Sequence, residues 1–415
     1  MARVLLLSLI FSPDNVSTAQ IMGGIAEDLA AAGHDVRVIS TTPHYHRDLS
    51  LEAAQPLHRW FGRLIQKSDF HGIEAYHIWM PNKQCHPLLR ILSWMNFHVA
   101  STLLSLFLRF RPDVVLAPSP PLLIGLNAWA IAGLHRAKYI YNVQELYPDI
   151  AVNLGVLRNK AVIGLLSRVE RFIYRHAASV TTITEAMLRK IEQRVDRPGK
   201  ARLIPNFVDF GFIHEAQPSN PFAEKYHLGG TFVITYAGNM GVPQNLEILV
   251  EAVRSLKGLE PSLRLLLIGD GGAKARLREL AEGADNIEII DYQPISAMPD
   301  IYAASDLFYV GQSPDASSDG IPSKIYRIMG NRKPLLVVSA EGSDLARCVV
   351  DVGSGMALAT ADPAVLAAAI RQLMSDRAAL AGMGEKGHRY VSSTFERHQV
   401  TRQYVELVSS LAAEA

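Results

Sequence analysis

Short runs of apolar and β-branched residues alternate along the chain with longer stretches in which apolar positions recur every three or four residues. RVLLLSLI (3–10), the helical spacing from Thr18 to Gly33, and DVRVIST (35–41) make one strand–helix–strand unit. The runs IEAYHIW (73–79), DVVLA (113–117), KYIYNV (138–143) and SVTTIT (179–184), spaced by helical segments at 88–110, 121–135 and 160–177, extend the pattern to Ile204. A second series opens at TFVITYAGNMG (231–241). It continues through LRLLLIGDGG (263–272), NIEIID (286–291), DLFYV (306–310) and PLLVVS (334–339), with helical segments at 244–257, 273–283, 297–304 and 322–330. Strands buried on both faces read as nearly continuous apolar runs, so the pattern predicts mostly parallel sheets covered by helices.

The fold class expected is α/β, with two Rossmann-like doubly wound domains facing a cleft. The first spans 1–205 and the second 223–395. Between them IPNFVDFGFIHEAQPSNPF is irregular and broken by three prolines, so 206–222 reads as a linker. The last segment, 396–415, has its own amphipathic period (RHQVTRQYVELVSSLAAEA) and is expected to return to the first domain. Doubly wound sheets bind ligands beyond the carboxyl ends of their strands, and functional residues are therefore sought in those loops.

With 415 residues the chain is long enough for two cores, and 49% hydrophobic against 20% charged residues excludes a disordered chain. Cys85 and Cys348 show neither disulfide nor zinc spacing and read as packing residues of a reducing cytoplasm. The net charge of +1 conceals an asymmetry: 1–205 hold 23 basic and 15 acidic residues, net +8, whereas 206–415 hold 18 and 25, net −7. A basic half suits an anionic partner such as a membrane surface or a phosphorylated lipid; nucleic acid is not implied. MARVLLLSLI is too short for a leader and runs into FSPDNVSTAQ without a small-residue cleavage site, so it reads as a first strand. Segment 88–110 approaches the length of a membrane span, but Arg90, Asn96, His98 and Arg109 interrupt it, and it reads as a buried or interfacial helix.

The chain lacks a Walker A run, a G-x-S-x-G elbow and H-E-x-x-H, and no complete G-x-G-x-x-G follows any of its strand runs, which removes the commonest hydrolase and dinucleotide chemistries. It also lacks a D-x-D pair, so any diphosphate must be neutralised by amides, helix ends and basic side chains rather than a metal. His44 and His46 have no third ligand nearby; a solvent loop or an acceptor contact fits them better than a metal. After strand VITYA, the glycines of Gly238-Asn239-Met240-Gly241 let backbone amides approach a ligand, and a helix starting near Pro243 would present its positive end to a phosphate. In DGIPSKIYR (319–327), Pro322 suits a first helical turn, which puts Ser323 and Lys324 where an anion is favoured and Tyr326 and Arg327 one turn on. In the first half, strand KYIYNV ends in Gln144, Glu145, Leu146 and Tyr147, polar groups that need partners or solvent at the end of a buried strand.

Taken in order, FSPDNVSTAQ, AGHDVRVIS, NVQELYPDIAVNLGVL, IPNFVD, YAGNMG, IGDGG and IPSKIYRIMGNRKP resemble the retaining GT-B glycosyltransferases of family four. The resemblance covers nearly the whole chain and is greatest to the bacterial branch that builds O-antigen, capsule and exopolysaccharide, including colanic-acid and fucosamine-transferase-like enzymes. It implies a hexosyltransferase-type enzyme without cofactor or metal. The donor implied is a UDP-sugar, an N-acetylhexosamine or its deoxy derivative, and the acceptor a polyprenyl-diphosphate-linked saccharide. The place implied is the cytoplasm, at the anionic inner face of the plasma membrane. Donor contacts are implied at Gly238, Asn239, Met240, Gly241, Gln244, Asp270, Tyr292, Ser323, Lys324, Tyr326 and Arg327, and acceptor contacts at Gln20, His44, Gln144 and Tyr147. The catalytic set implied is Lys324 on the departing diphosphate, Asp319 orienting the donor sugar and Glu145 the acceptor hydroxyl.

The chain departs from that family at informative positions. Many members carry an Arg and a Lys after the glycine of the YAG turn, where this chain has Asn239 and Gln244. The family's two glutamates eight positions apart align with Asp319 and Arg327, and a histidine that contacts the donor sugar aligns with Gln144. Lys324, with Arg327, is thus expected to supply the missing positive charge. A sugar-nucleotide epimerase of the same two-domain shape and a catalytically degenerate sugar-nucleotide-binding scaffold are the alternatives.

Overall fold

The computed structural model describes residues 1–44, 48–81, 87–153, 155–210, 217–313 and 321–414. His46, Cys85 and Asp319 lie outside the described residues. By its contacts the chain divides into two compact units, 1–206 with 397–415, and 207–396.

The strands of the first unit are β1 (Arg3–Leu7), β2 (Asp35–Thr41), β3 (His58–Phe61), β4 (Ile65–Phe70), β5 (Ile73–Ile78), β6 (Val114–Pro118), β7 (Lys138–Val143), β8 (Ser179–Thr182) and β9 (Ala201–Leu203). They form one sheet in the order β3-β4-β5-β2-β1-β6-β7-β8-β9. Val4 to Leu7, like all of β6 and β8, are buried, as parallel strands with helices on both faces require. β1 is paired in parallel to β2 (Arg3↔Asp35) and to β6 (Val4↔Val114). The hairpin β3–β4 is antiparallel and extends the sheet beyond β5. No apolar run announces it: His58 to Phe61 are all exposed, so it is held by ladder hydrogen bonds rather than by burial of its own side chains.

The closing helix, Arg397–Ala413, belongs to this first unit. It packs on the helix Ser17–Ala31 and buries Val400, Tyr404, Leu407, Val408 and Leu411. Arg397, largely buried, pairs with Asp28 at 2.9 Å and with Glu27, and Thr401 Oγ1 donates to Asp28 at 2.6 Å.

The second unit holds β10 (Phe232–Asn239), β11 (Leu263–Asp270), β12 (Ile287–Ile290), β13 (Leu307–Gly311), β14 (Leu335–Val338) and β15 (Gly355–Leu358). Their order is β12-β11-β10-β13-β14-β15, with every pair parallel. Alternate residues feed two cores. Phe232, Ile234 and Tyr236 of β10 join Leu249 and Val253 on one face, while Val233 joins Phe308, Ile325 and Val349 on the other. The last strand and the helices Asp344–Val352, Pro363–Met374 and Arg377–Thr394 follow the run PLLVVS, past the point where strand runs stand out in sequence. The end of the expected linker is built into this unit. Asn220 caps the short helix Pro221–Lys225 by accepting from Ala223 N at 2.9 Å, and Phe222 is buried.

Among the parallel strands of each sheet the order reverses at one place, between β1 and β6 in the first and between β10 and β13 in the second. Ligand sites in open parallel sheets lie beyond the carboxyl ends of the strands at such a reversal.

Candidate functional site

At the reversal in the second unit, β10 and β11 stay paired to their carboxyl ends, Gly238 opposite Gly269 and Asn239 opposite Asp270, and Met240 N then donates to Asp270 O at 2.8 Å. The backbones approach too closely for side chains. A Cβ on Gly269 (φ +140) would lie 1.9 Å from Gly238 O, and one on Gly311, at the end of β13, would lie 1.8 Å from Gln244 O. Gly238 and Asn239 are exposed at this edge, whereas the Met240 side chain is buried in the core. Gln244 accepts from Gly241 N at 2.9 Å and so holds the turn closed.

Lys324 opens the helix Lys324–Gly330 that follows β13. Its Nζ lies 4.1 Å from the centre of the Tyr236 ring and 3.5 Å from Ala237 O, and a Cβ on Gly238 would come within 3.0 Å of it. Tyr236 is fully buried, and its hydroxyl donates to Asn239 O at 2.5 Å, so the ring is fixed beneath the strand end. Burial alone pulls the Lys324 ammonium down to about 8; among the described residues no carboxylate offsets the loss of water. A cation held this way favours an anion in front of Gly238 and Asn239.

The other donor-side candidates fall into two groups. Asp270 closes β11 and Tyr292 lies just beyond β12, Asp270 accepting from Gly271 N at 2.9 Å, whereas Ser323 precedes the helix Lys324–Gly330 and Arg327 lies within it. Tyr326 turns the other way. Its ring is buried against Phe395, centroids 4.3 Å apart, because residues two apart on a helix point to different sides. Cys348 is half-buried beside that core, and burial raises its thiol to about 11, as fits a packing residue.

In the first unit the acceptor-side candidates stand on the two sides of the reversal. His44 follows β2 and is 5% exposed; its backbone N–H donates to Asp14 Oδ2 at 2.9 Å, and its Nδ1 lies 3.8 Å from the same carboxylate. Gln20 donates from Nε2 to Asn15 Oδ1 at 3.1 Å. Beyond β7, Gln144 N donates to Ser119 Oγ at 3.1 Å, its Oε1 accepts from Asn206 Nδ2 at 2.9 Å, and its Nε2 donates to Asn142 Oδ1 at 2.6 Å. Asn142 in turn donates to Tyr404 Oη at 2.8 Å and Thr181 Oγ1 at 3.0 Å. Gln144 is therefore tied into an internal network that includes the closing helix. Glu145 and Tyr147, in the same loop, are half-buried. Sequence reading named neither Asp14 nor Tyr236. The first stands inside the quoted FSPDNVSTAQ and the second opens the quoted YAGNMG, but neither motif says which charged group its side chain meets. Among the described residues no three His, Cys, Asp or Glu side chains gather as a metal site, and no helix is long and apolar enough to cross a membrane.

Residues 18–206 match the family model described as Glycosyl transferase 4-like domain, and residues 231–376 match Glycosyl transferases group 1. A relative in Escherichia coli (strain K12), WcaI, bears a name for a glycosyl transferase of colanic acid biosynthesis. It is 25% identical over 413 residues, 97% of this chain and 98% of that one. Among solved structures, sucrose-phosphate synthase from Thermosynechococcus elongatus superposes with a TM-score of 0.73 at 15% identity, over all of both chains. HepE of Anabaena, solved with UDP-glucose, superposes with a TM-score of 0.69 at 16% identity, over 99% of this chain and 100% of that one. At such identities the likeness is one of fold, the GT-B fold of two Rossmann-like domains.

Proposed function

We propose a donor and an acceptor for a chain that belongs to the glycosyltransferases, its halves matching their 4-like and group 1 families in turn. The donor is a UDP-sugar carrying an N-acetylhexosamine or its deoxy derivative, and the acceptor is a polyprenyl-diphosphate-linked saccharide of a bacterial exopolysaccharide. Transfer retains the anomeric configuration, uses no metal, and takes place at the cytoplasmic face of an anionic membrane.

The observation that carries the donor reading is Lys324, a cation set between the Tyr236 ring and the Ala237 carbonyl at the strand reversal. As the sugar–phosphate bond breaks, the departing diphosphate gains negative charge, and a donor already aimed at that charge lowers the barrier without reorganising. The exposed turn at Gly238 and Asn239 adds backbone groups at the same edge. UDP is favoured by the like fold of HepE, described with UDP-glucose, and the exopolysaccharide by likeness to WcaI, named for colanic acid. The transferase families also favour transfer over the epimerase reading.

The test incubates the chain with a UDP-N-acetylhexosamine and a polyprenyl-diphosphate-linked sugar. A glycosylated lipid whose new anomeric centre keeps the donor's configuration by NMR is the expected product. Inversion, or calorimetric binding of GDP or ADP but not UDP, would overturn the reading.

A further inference from the structure

The helix Pro87–Phe107 buries Phe97 and Leu104 against the core and still leaves a long apolar arc facing outward. Several of its polar side chains are turned inward: Ser93, Ser101 and Ser105 are buried, and His98 shares a 2.7 Å hydrogen bond with the buried Asn127, while Asn96 is exposed at the edge of the outward arc. Its outward arc carries Leu92, Met95, Val99, Leu103 and Leu106, each 49% to 66% exposed. Successive spacings of three and four residues keep these five within one third of the helix circumference. Scattered apolar residues on a surface need no explanation, but a continuous stripe of this length marks an interaction site.

The charge around the stripe has one sign. Between Glu74 and Glu145 the sequence contains a single acid, Asp113, and its carboxylate is paired with Arg3 at 2.8 Å. Three helices, Pro87–Phe107, Ile124–His135 and Lys160–His176, form one layer over the core of the first unit. The last turns Arg168, Arg171 and Arg175 outward along one face, while its only acid, Glu170, is buried against Arg194. At the carboxyl end of β5, the turn of the β3–β4 hairpin exposes Trp60, Phe61, Arg63 and Leu64 near Trp79, whose backbone N donates to Leu64 O at 2.9 Å. The helix is entered from this same end of the sheet.

We infer that the outward face of helix Pro87–Phe107, with the hairpin turn and the arginine-bearing helix beside it, is a docking surface for an anionic lipid bilayer. Leucines enter the acyl boundary, the tryptophans lie at headgroup level, and the arginines meet the lipid phosphates. A second copy of the chain fits less well, because a symmetric contact would set this cationic rim against itself. The inference rests on the acceptor reading above, since a polyprenyl-linked acceptor is presented at a bilayer, and it deepens that reading by naming the surface that meets the membrane.

The full chain is sedimented with vesicles of phosphatidylcholine alone and of phosphatidylcholine mixed with phosphatidylglycerol. Binding is expected to the mixed vesicles. Replacing three outward apolar groups (Leu92→Gln, Val99→Gln and Leu103→Gln together) weakens it about tenfold or more, and Arg168→Gln with Arg171→Gln and Arg175→Gln removes the preference for anionic lipid. UDP affinity and the melting temperature of the variants stay those of the parent, which excludes misfolding as the cause. Unchanged vesicle binding by the apolar triple variant overturns the inference. So does a parent that ignores vesicles but forms a dimer which that variant abolishes. UDP titration of the parent reads the donor proposal separately: a chain that binds vesicles but not UDP loses the donor reading and keeps this surface.

Discussion

The Lys324 ammonium sits 4.1 Å above the Tyr236 ring, although 87 residues separate this lysine from Ala237, whose carbonyl it also meets. The ring's negative face favours the cation without neutralising it, so the full charge stays available to a ligand at the strand edge.

Replacing that charge should therefore separate function from stability. Lys324→Met is expected to lower turnover by about a hundredfold or more, equivalent to about 3 kcal/mol of transition-state stabilisation, and to weaken UDP binding by calorimetry. Its melting temperature should hold or rise, because an incompletely solvated charge has been removed. Full turnover in Lys324→Met would take this lysine out of the site.

The same group sets a pH dependence. Burial favours the neutral amine, so in the free protein Lys324 loses its proton as pH rises through about 8. UDP binds the charged form, and its dissociation constant should rise by about tenfold for each pH unit above that point. Lys324→Arg, where the guanidinium fits, should flatten the profile. A constant affinity between pH 7 and 10 in the parent would contradict the assignment.

Two glycines at the strand ends should resist substitution for steric reasons. Gly311→Ala places a Cβ 1.8 Å from Gln244 O, and Gly269→Ala combines a 1.9 Å clash with a backbone at φ +140. Each is expected to cost about 3 kcal/mol, whereas Gly272→Ala, which meets nothing within 4 Å, should be close to neutral. Hydrogen exchange of the β10 and β13 amides reads the effect in the second unit. Equal protection in all three variants would show that the strand ends are looser than described.

His77 makes the first unit acid-sensitive. It is fully buried, its Nδ1–H donates to Thr41 O at 3.1 Å, and its Nε2 accepts from Ser68 Oγ at 2.8 Å, so it is held neutral with its pKa lowered to about 4. The unfolded chain protonates near 6.5, and between there and 4 it binds more protons than the folded one. Stability is whole above 6.5 and falls as pH drops through this window, by about 3 kcal/mol at most. Urea unfolding of the parent and of His77→Gln should show the slope shrinking in the variant. Identical slopes would assign the acid sensitivity elsewhere.

Much of this architecture was legible as local pattern. The runs 35–41 and 138–143 are β2 and β7 residue for residue, and DGIPSKIYR led directly to Lys324. Periodicity reports which way a side chain points relative to its own element, and the two-fold and 3.6-fold repeats suffice for strands, helices and the parallel sheets they imply. It does not report what lies opposite. The platform that Tyr236 makes for Lys324, the turn of Tyr326 into the core beside Phe395, and the capture of Gln144 by Asn206 and Asn142 all join residues brought close only by strand order and helix packing. The helix Pro87–Phe107 shows the division most plainly. Its sequence is apolar on nearly every side, so only the packed structure decides that Ser93, Ser101 and Ser105 face the core with Leu104 while Leu92, Leu103 and Leu106 face outward.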